Sequence, residues 1–211
     1  MITRFNDFNI LGRGKSIVAE CEIEESLLIE NFKCTAGNLA ALNVKKNLIG
    51  SCVAGSIGGF NAHAANVVAA CFIACGQDAA QVVEGSQTMT LLEERKKENG
   101  KTYLHASVTM MSLEVAAIGG GTNLEPQKSI IQSMIGTCDS TPGAKGLFYS
   151  NLDYVLNAIL ACKLAAVIAS TVLAGELSLM SSLLKGDLVQ SHLKLNRIPS
   201  KPSFQVCVPN L

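Results

Sequence analysis

The chain has 211 residues, of which 48% are hydrophobic, and its 17 basic residues balance its 17 acidic residues. This length and apolar content exclude wholesale disorder and favour one large domain, or one domain with a small appendage. The lack of a basic excess and the aromatic content of 5% argue against a nucleic-acid-binding surface.

The eight cysteines leave two interpretations open, disulfide bonds or reduced thiols. Cys71, Cys75 and Cys162 lie within apolar helical patterns, and no CxxC motif occurs. This spacing favours buried, reduced thiols and predicts neither a zinc ribbon nor any other metal site. The segment at 1–11 has no sustained apolar core, so it does not predict a signal peptide.

The first half of the chain predicts a strand followed by a helix. Residues 12–24 begin as a turn and then alternate between apolar and polar positions, which predicts a half-buried strand. Ser26 is a candidate N-cap for a helix that runs to about Val44. Cys34, Thr35 and Gly37 weaken its middle and predict a break there.

The stretch from Gly50 to Gln81 combines small residues with a few polar ones. An apolar helix is predicted to carry His63 and Asn66 on one face and to end at Gly76, just before Asp78. Taken alone, Asp78 is more often a helix-end cap, and His63 is more often a core histidine. The glycines do not fit GxGxxG, so a Rossmann phosphate loop is not predicted.

The next segment predicts two strands joined by a charged tip. Residues 82–94 predict a strand that Gly85 opens, residues 93–101 predict a solvated hairpin tip, and residues 102–111 predict a second strand. His105 is interpreted as an ordinary surface or edge histidine.

Three glycines then follow a short apolar strand predicted within 114–127. Asn123 can cap the helix that Pro126 helps to start. Glycines at such a junction expose backbone N–H groups to an anion, although many such junctions merely turn the chain.

The longest helical pattern runs from Asn151 to Leu184 and ends at Gly186. Part of it, residues 156–174, is nearly long enough to span a membrane, but Asn157 and Lys163 interrupt it. We therefore expect a buried core helix in which Glu176 is hydrogen-bonded or neutral. Residues 198–211 are expected to form a mobile tail.

Several motifs occur in one order along the chain. They are GRGKSIVAE, NVKKNLIGS, AGSIGGFNAHAANVVAACFIACGQDAAQ, GGGTNLEPQ and AGELSLMSSLLKGDLVQSH with NR. Together they resemble the catalytic region of 3-hydroxy-3-methylglutaryl-coenzyme A (HMG-CoA) reductase of the eukaryotic type. The resemblance covers 12–197 and leaves 1–11 unmatched.

This resemblance implies an α+β fold, with a long buried central helix surrounded by helices and a small mixed or antiparallel sheet. It implies NADPH-dependent reduction of HMG-CoA to mevalonate and coenzyme A, in a dimer or tetramer whose active sites lie between subunits. It also implies a cytosolic-facing location, at the endoplasmic reticulum membrane if a full-length protein carries the chain.

The resemblance assigns roles to individual residues. Asp78 matches the catalytic aspartate, and His192 matches the histidine that protonates the departing thiolate. The matches to substrate-binding residues are Lys46, His63, Asn66, Leu179 and Leu183. The matches to cofactor-binding positions are Gly119, Gly120, Gly121, Thr122, Asn196 and Arg197.

The chemistry suits these residue types. A histidine can protonate a thiolate near neutral pH, and a lysine can hold a substrate carboxylate. Asp78 follows a helix C-terminus in surroundings expected to be apolar, which would favour its neutral form.

The family motifs expected upstream of this region do not occur in these 211 residues. They are an ENVIG-type motif with the catalytic glutamate, a DKK-type loop with the oxyanion lysine, and the DAMGMN motif of the ferredoxin-like NADPH domain. The chain is therefore expected to be the later part of the large substrate-binding domain and inactive alone. The alternative is a non-catalytic paralogue that binds substrate or dimerises with an intact reductase.

Overall fold

The computed structural model describes residues 2–5, 14–136 and 151–196, with side chains described in 14–136 and 157–195. The described strands are β1 (Ile2–Phe5), β2 (Lys15–Glu24), β3 (Gly59–Phe60), β4 (Thr88–Lys96) and β5 (Thr102–Leu113). The described α-helices are α1 (Glu25–Leu27, continued as a π-helix over Leu28–Phe32), α2 (Ala36–Leu42), α3 (Ser51–Val53), α4 (Ala64–Ala74), α5 (Val82–Gly85), α6 (Glu125–Ile135), α7 (Asn151–Lys185) and α8 (Asp187–Asn196).

The strands form one mixed sheet in the order β1-β2-β5-β4-β3. All neighbouring pairs are antiparallel except β3 with β4, which pair in parallel over two positions. The strand predicted over 12–24 is confirmed, with Ile17 and Ala19 fully buried on its inner face. The α+β prediction with a small mixed sheet is also confirmed at this level.

Helix α7 packs across the inner face of this sheet. Leu164, Ile168 and Val172 are fully buried on it, and α7 also contacts α2, α4 and α6. Among the described residues, the segment Asn157–Lys185 is the one helix with the length and apolarity of a membrane span. Its packing favours the core-helix interpretation, and Gly186 ends it at φ +74° as predicted.

The helical region that follows β2 differs from its prediction. Ser26 is not an N-cap: it lies inside α1, and its hydroxyl donates to Glu24 Oε1 at 3.0 Å. The predicted break is confirmed, because Lys33 adopts a left-handed φ of 57° and the Thr35 side chain caps α2. Beyond the predicted end at Val44, the helix continues in a π-helical form over Asn43–Gly50 and then as α3.

Three predictions between Val82 and Pro126 are wrong in part. Residues Val82–Gly85 are helical rather than extended, and Gly85 packs closely on the Phe72 ring of α4. No strand forms within 115–117. The N-cap of α6 is Leu124, and the Asn123 side chain makes no cap, whereas Pro126 does lie in the first turn.

His105 also differs from its prediction, because it lies on the central strand β5 rather than at an edge. Its side chain is 13% exposed and lies between two carboxylates, with Nε2 3.3 Å from Glu20 Oε2 and Nδ1 3.7 Å from Glu93 Oε2. The hairpin tip that precedes it, residues 97–101, is exposed as predicted.

Candidate active site

A cleft of about 760 Å³ lies at the C-terminal end of α4. Asp78 lines it, and so does the glycine loop at 119–122. The two segments are about 40 residues apart in sequence, and both were predicted from their motifs. The fold therefore brings the predicted catalytic aspartate beside four of the predicted cofactor-binding positions.

Two glycines bring these segments together. A Cβ placed on Gly121 would lie 2.6 Å from the carbonyl oxygen of Gly76, so the two backbones touch where no side chain fits. Gly76 also ends α4 with φ +64°. The turn that carries Asp78 is thus fixed against the glycine loop.

Gln77 adds a second link that the sequence did not predict. Its Nε2 donates to the Ala116 carbonyl at 2.9 Å and to the Cys75 carbonyl at 3.0 Å, while its Oε1 accepts from the Ala116 N–H at 2.8 Å. A side-chain amide thereby pairs with the backbone 39 residues away. Periodicity carries no information about such a contact.

The glycine loop has a backbone that other residues rarely adopt. Gly119 and Gly120 have φ values of +107° and +55°, and a Cβ on either would meet no atom within 4 Å. Thr122 is buried, and its hydroxyl donates to the Gly119 carbonyl at 2.7 Å. The loop is thus held from its buried side and open on the other.

Asp78 does not lie in apolar surroundings, contrary to the prediction. Its residue is exposed, and its Oδ1 accepts from the Ala80 N–H at 3.0 Å at the start of the 3₁₀ turn Ala79–Gln81. The reason is that Gly76 turns the chain away from α4 before Asp78 is reached. The carboxylate caps a turn at the mouth of the cleft.

Lys15 also lines the cleft, and the sequence did not single it out. Its ammonium donates to the Val115 carbonyl at 3.1 Å. Burial lowers the pKa of Lys15, because the charged form loses hydration there. Its place in the GRGKSIVAE motif was the only available indication of a role.

A second group of predicted residues lies at the opposite end of α4. His63 immediately precedes the helix, and Glu176 of α7 is fully buried beneath it. The Glu176 carboxylate accepts from the Ala62 N–H at 2.7 Å, the His63 N–H at 2.8 Å and the Thr90 hydroxyl at 2.9 Å, and it lies 3.1 Å from His63 Nδ1. The prediction of a hydrogen-bonded buried carboxylate is confirmed.

Lys46 is connected to this carboxylate through buried polar groups. Its ammonium donates to Asn47 Oδ1 at 3.2 Å, and Asn47 Nδ2 donates to Asn43 Oδ1 at 2.8 Å. Asn43 Nδ2 in turn donates to the Thr90 carbonyl at 3.1 Å. Lys46 and His63, both predicted substrate residues, are thus linked through Thr90, whose carbonyl accepts from Asn43 and whose hydroxyl donates to Glu176.

Leu179 and Leu183 are half-buried on α7, three and seven residues after Glu176. This spacing puts them on the same side of the helix as the carboxylate. Asn66 is exposed in the first turn of α4, but His63 is the N-cap with a φ of −161°, so the prediction that both lie on one face of the helix is wrong for His63. Of the predicted substrate residues, His63 and Asn66 lie at the N-terminal end of α4, and Lys46 is linked to them through Thr90 and Glu176.

The remaining predicted residues are at the end of the described chain. His192 is exposed on α8, and the cleft lined by Asp78 does not include it among the described residues. Asn196 ends α8. Arg197 lies outside the described residues.

Comparison with known sequences identifies the family of this chain. The family profile described as hydroxymethylglutaryl-coenzyme A reductase matches residues 6–197. The chain belongs to the HMG-CoA reductase family.

Individual members of the family are similar over most of the chain. The 3-hydroxy-3-methylglutaryl-coenzyme A reductase of Xenopus laevis is 46% identical over 192 residues, or 89% of this chain and 20% of that protein. The protein of the same name from Strongylocentrotus purpuratus is 48% identical, and the match covers 19% of its length. Reductase 2 of Hevea brasiliensis is 47% identical over 190 residues, 82% of its length. The chain thus spans about a fifth of the two animal proteins.

The HMG-CoA reductase motifs fall into the two groups at the two ends of α4. GQDAAQ and GGGTNLEPQ form the cleft, whereas NVKKNLIGS, NAHAAN and AGELSLM contribute the Lys46, His63 and Glu176 group. Helix α4 has 11 residues, so its ends are about 16 Å apart at 1.5 Å per residue. Family sequence and observed geometry therefore describe two separate groups within one chain.

Proposed function

We propose that this chain forms part of the active site of an enzyme that reduces HMG-CoA to mevalonate and coenzyme A with NADPH. Family membership supports the reaction class. The observation that carries the proposal is the pairing of a carboxylate with an open glycine loop in one cleft, with a lysine and a histidine held at the other end of α4.

The Lys46 group is proposed to bind the acyl part of the substrate. The Lys46 ammonium has donors beyond the one given to Asn47, and it can hold a carboxylate with charge-assisted hydrogen bonds. His63 and Asn66 are proposed to bind the polar atoms of the hydroxymethylglutaryl group. Leu179 and Leu183 supply apolar contact to its carbon chain.

The cleft is proposed to receive the nicotinamide part of NADPH, together with Asn196 and Arg197. The open surface of Gly119 and Gly120 fits close approach by a flat ring, since no Cβ intervenes. NADPH supplies hydride when bound. Asp78 at the mouth of the cleft is proposed to take part in proton handling at the reacting oxygen, and His192 to protonate the departing thiolate.

We further propose that a second subunit completes the site, as a dimer or tetramer. The separation of about 16 Å between the two groups supports this, because one thioester carbon cannot lie beside both. Exposed apolar side chains near the Lys46 segment also favour burial by another chain, for example Val53 at 83% and Ile57 at 81% exposure. The proposed location is the cytosolic side of the endoplasmic reticulum, when a full-length protein carries the chain.

The second candidate is a non-catalytic chain that binds substrate or joins an intact reductase. The same exposed apolar side chains favour it. It differs from the first candidate in predicting substrate binding or co-assembly without any contribution to turnover.

NADPH consumption tests both candidates. The 211-residue chain alone is expected to give no HMG-CoA-dependent oxidation of NADPH, and robust turnover would contradict the need for further catalytic groups. The chain should then be co-expressed with a full-length reductase inactivated at its own copy of the Asp78 position. Restored turnover supports a shared active site, whereas co-purification without turnover favours the non-catalytic candidate.

A further inference from the structure

Glu176 contacts the His63 ring in addition to the two backbone N–H groups that immediately precede α4. The backbone N–H groups of Ala62 and His63 already satisfy the carboxylate at the helix start, and Asn61 Oδ1 accepts the Ala64 N–H at 3.1 Å. The additional contact at 3.1 Å to the His63 ring is therefore not needed to satisfy the backbone. It acts on the orientation of the ring.

The hydrogen-bond pattern also favours one ring nitrogen as the carrier of the proton. Among the described residues, the other hydrogen-bond partners of the carboxylate are all donors: two backbone N–H groups and the Thr90 hydroxyl. A carboxylate surrounded by donors acts as an acceptor, and an N–H at Nδ1 is the ring partner that fits an acceptor. In neutral imidazole, Nε2 is then an acceptor. Among the described residues, no group forms a hydrogen bond with Nε2.

Helix α7 also leaves space for the ring. A Cβ on Gly175 would lie 3.2 Å from His63 Cε1 and 3.5 Å from Nε2, so the ring packs directly over this glycine. The side chain of His63 remains 23% exposed. Consecutive residues of α7 thus set the depth of the ring, through Gly175, and its rotation, through Glu176.

We propose that Glu176 is a positioning residue that holds His63 as the Nδ1–H tautomer, so that Nε2 accepts a hydrogen bond from a hydroxyl or amide N–H of the acyl ligand. This inference rests on the proposed function, because it concerns the same ligand group. In this proposal the two residues recognise different parts of the ligand: Lys46 binds an anionic oxygen, and His63 binds a hydrogen-bond donor. A ligand that offers only a carboxylate would then bind Lys46 but not His63.

The test combines imidazole ¹⁵N NMR with calorimetric titration of HMG-CoA into the full 211-residue chain. The three histidines are assigned with His105→Gln and His192→Gln variants. Wild-type His63 is expected to carry its proton on Nδ1. Glu176→Gln is expected to abolish that preference and to weaken HMG-CoA binding about tenfold, with the circular dichroism spectrum unchanged.

Glu20→Gln is the matched control, because Glu20 lies 3.3 Å from His105 in a histidine–carboxylate pair of another region. It should leave HMG-CoA affinity unchanged. An Nε2–H tautomer in wild-type His63, or undiminished binding by Glu176→Gln, would overturn the inference. The wild-type spectrum decides the tautomer even if Glu176→Gln fails to fold. Absence of any HMG-CoA binding by a wild-type chain with the expected tautomer counts against the proposed function instead.

Discussion

Gly76 and Gly121 pack backbone against backbone, at a distance that a Cβ on either residue would violate. One ends α4 and leads to Asp78, and the other belongs to the glycine loop. This contact gives the cleft its shape, because it fixes two loops that regular secondary structure does not connect. The glycine loop therefore has a packing role in addition to its proposed cofactor role.

Gly121→Ala is predicted to lower the free energy of unfolding by about 1–3 kcal/mol, because the new methyl group must displace the Gly76 backbone. Urea unfolding followed by circular dichroism measures this. Gly58→Ala is the control, since Gly58 is exposed and its Cβ would meet only Ser56 Oγ at 4.0 Å. Equal stabilities for the two variants would contradict the close approach.

The sequence predicted the elements whose pattern is local. The alternation of β2, the length of α7 and the motif residues Asp78 and His63 could all be identified from neighbouring positions. Gln77 and Lys15 could not, because their partners lie 39 and 100 residues away. The surroundings of Asp78 were mispredicted for a related reason: the apolar sequence belongs to α4, and the turn at Gly76 takes Asp78 out of it.

The buried asparagine pair gives a second prediction. Asn47 is fully buried and donates to Asn43 Oδ1, so Asn47→Leu leaves that side-chain oxygen without its donor. We expect a loss of about 1–3 kcal/mol in the free energy of unfolding. Asn38→Leu, at an exposed position of α2, should change it by less than about 0.5 kcal/mol. A tolerated Asn47→Leu would show that the polar chain does not matter for folding.

Two isoleucines of α7 test its role as a core helix. Ile168 is fully buried, whereas Ile159 is 50% exposed. Ile168→Ala should cost about 2–5 kcal/mol of unfolding free energy, and Ile159→Ala clearly less. Chemical denaturation of the two variants in detergent-free buffer gives the comparison. Similar costs at both positions would contradict the observed packing of α7 on the sheet.

The thiols of Cys71 and Cys75 predict a loss of stability at alkaline pH. Burial raises the pKa of both thiols above the ordinary value of 9.0. Above pH 9 the unfolded chain releases these protons while the folded chain keeps them, so the unfolding free energy falls as pH rises. The unfolding free energy continues to fall until the pH reaches the raised pKa values of the two thiols in the folded chain.

A Cys71→Ala/Cys75→Ala double variant isolates this effect. Its unfolding free energy should decline less than that of the wild type between about pH 8 and about pH 10. Ser133→Ala, on the exposed side of α6, controls for substitution on the surface. An identical decline in the wild type and the double variant would contradict the burial of the two thiols.

Calorimetric titration of HMG-CoA into the 211-residue chain tests most directly whether the Lys46 group binds the acyl substrate. Lys46→Ala is compared with Lys45→Ala, because Lys45 is the adjacent lysine and is exposed, whereas Lys46 is half-buried and bonded to Asn47. We predict that the wild type and Lys45→Ala bind alike and that Lys46→Ala binds at least about tenfold more weakly. Equal loss in both variants, or binding that neither variant affects, would contradict the proposed substrate site.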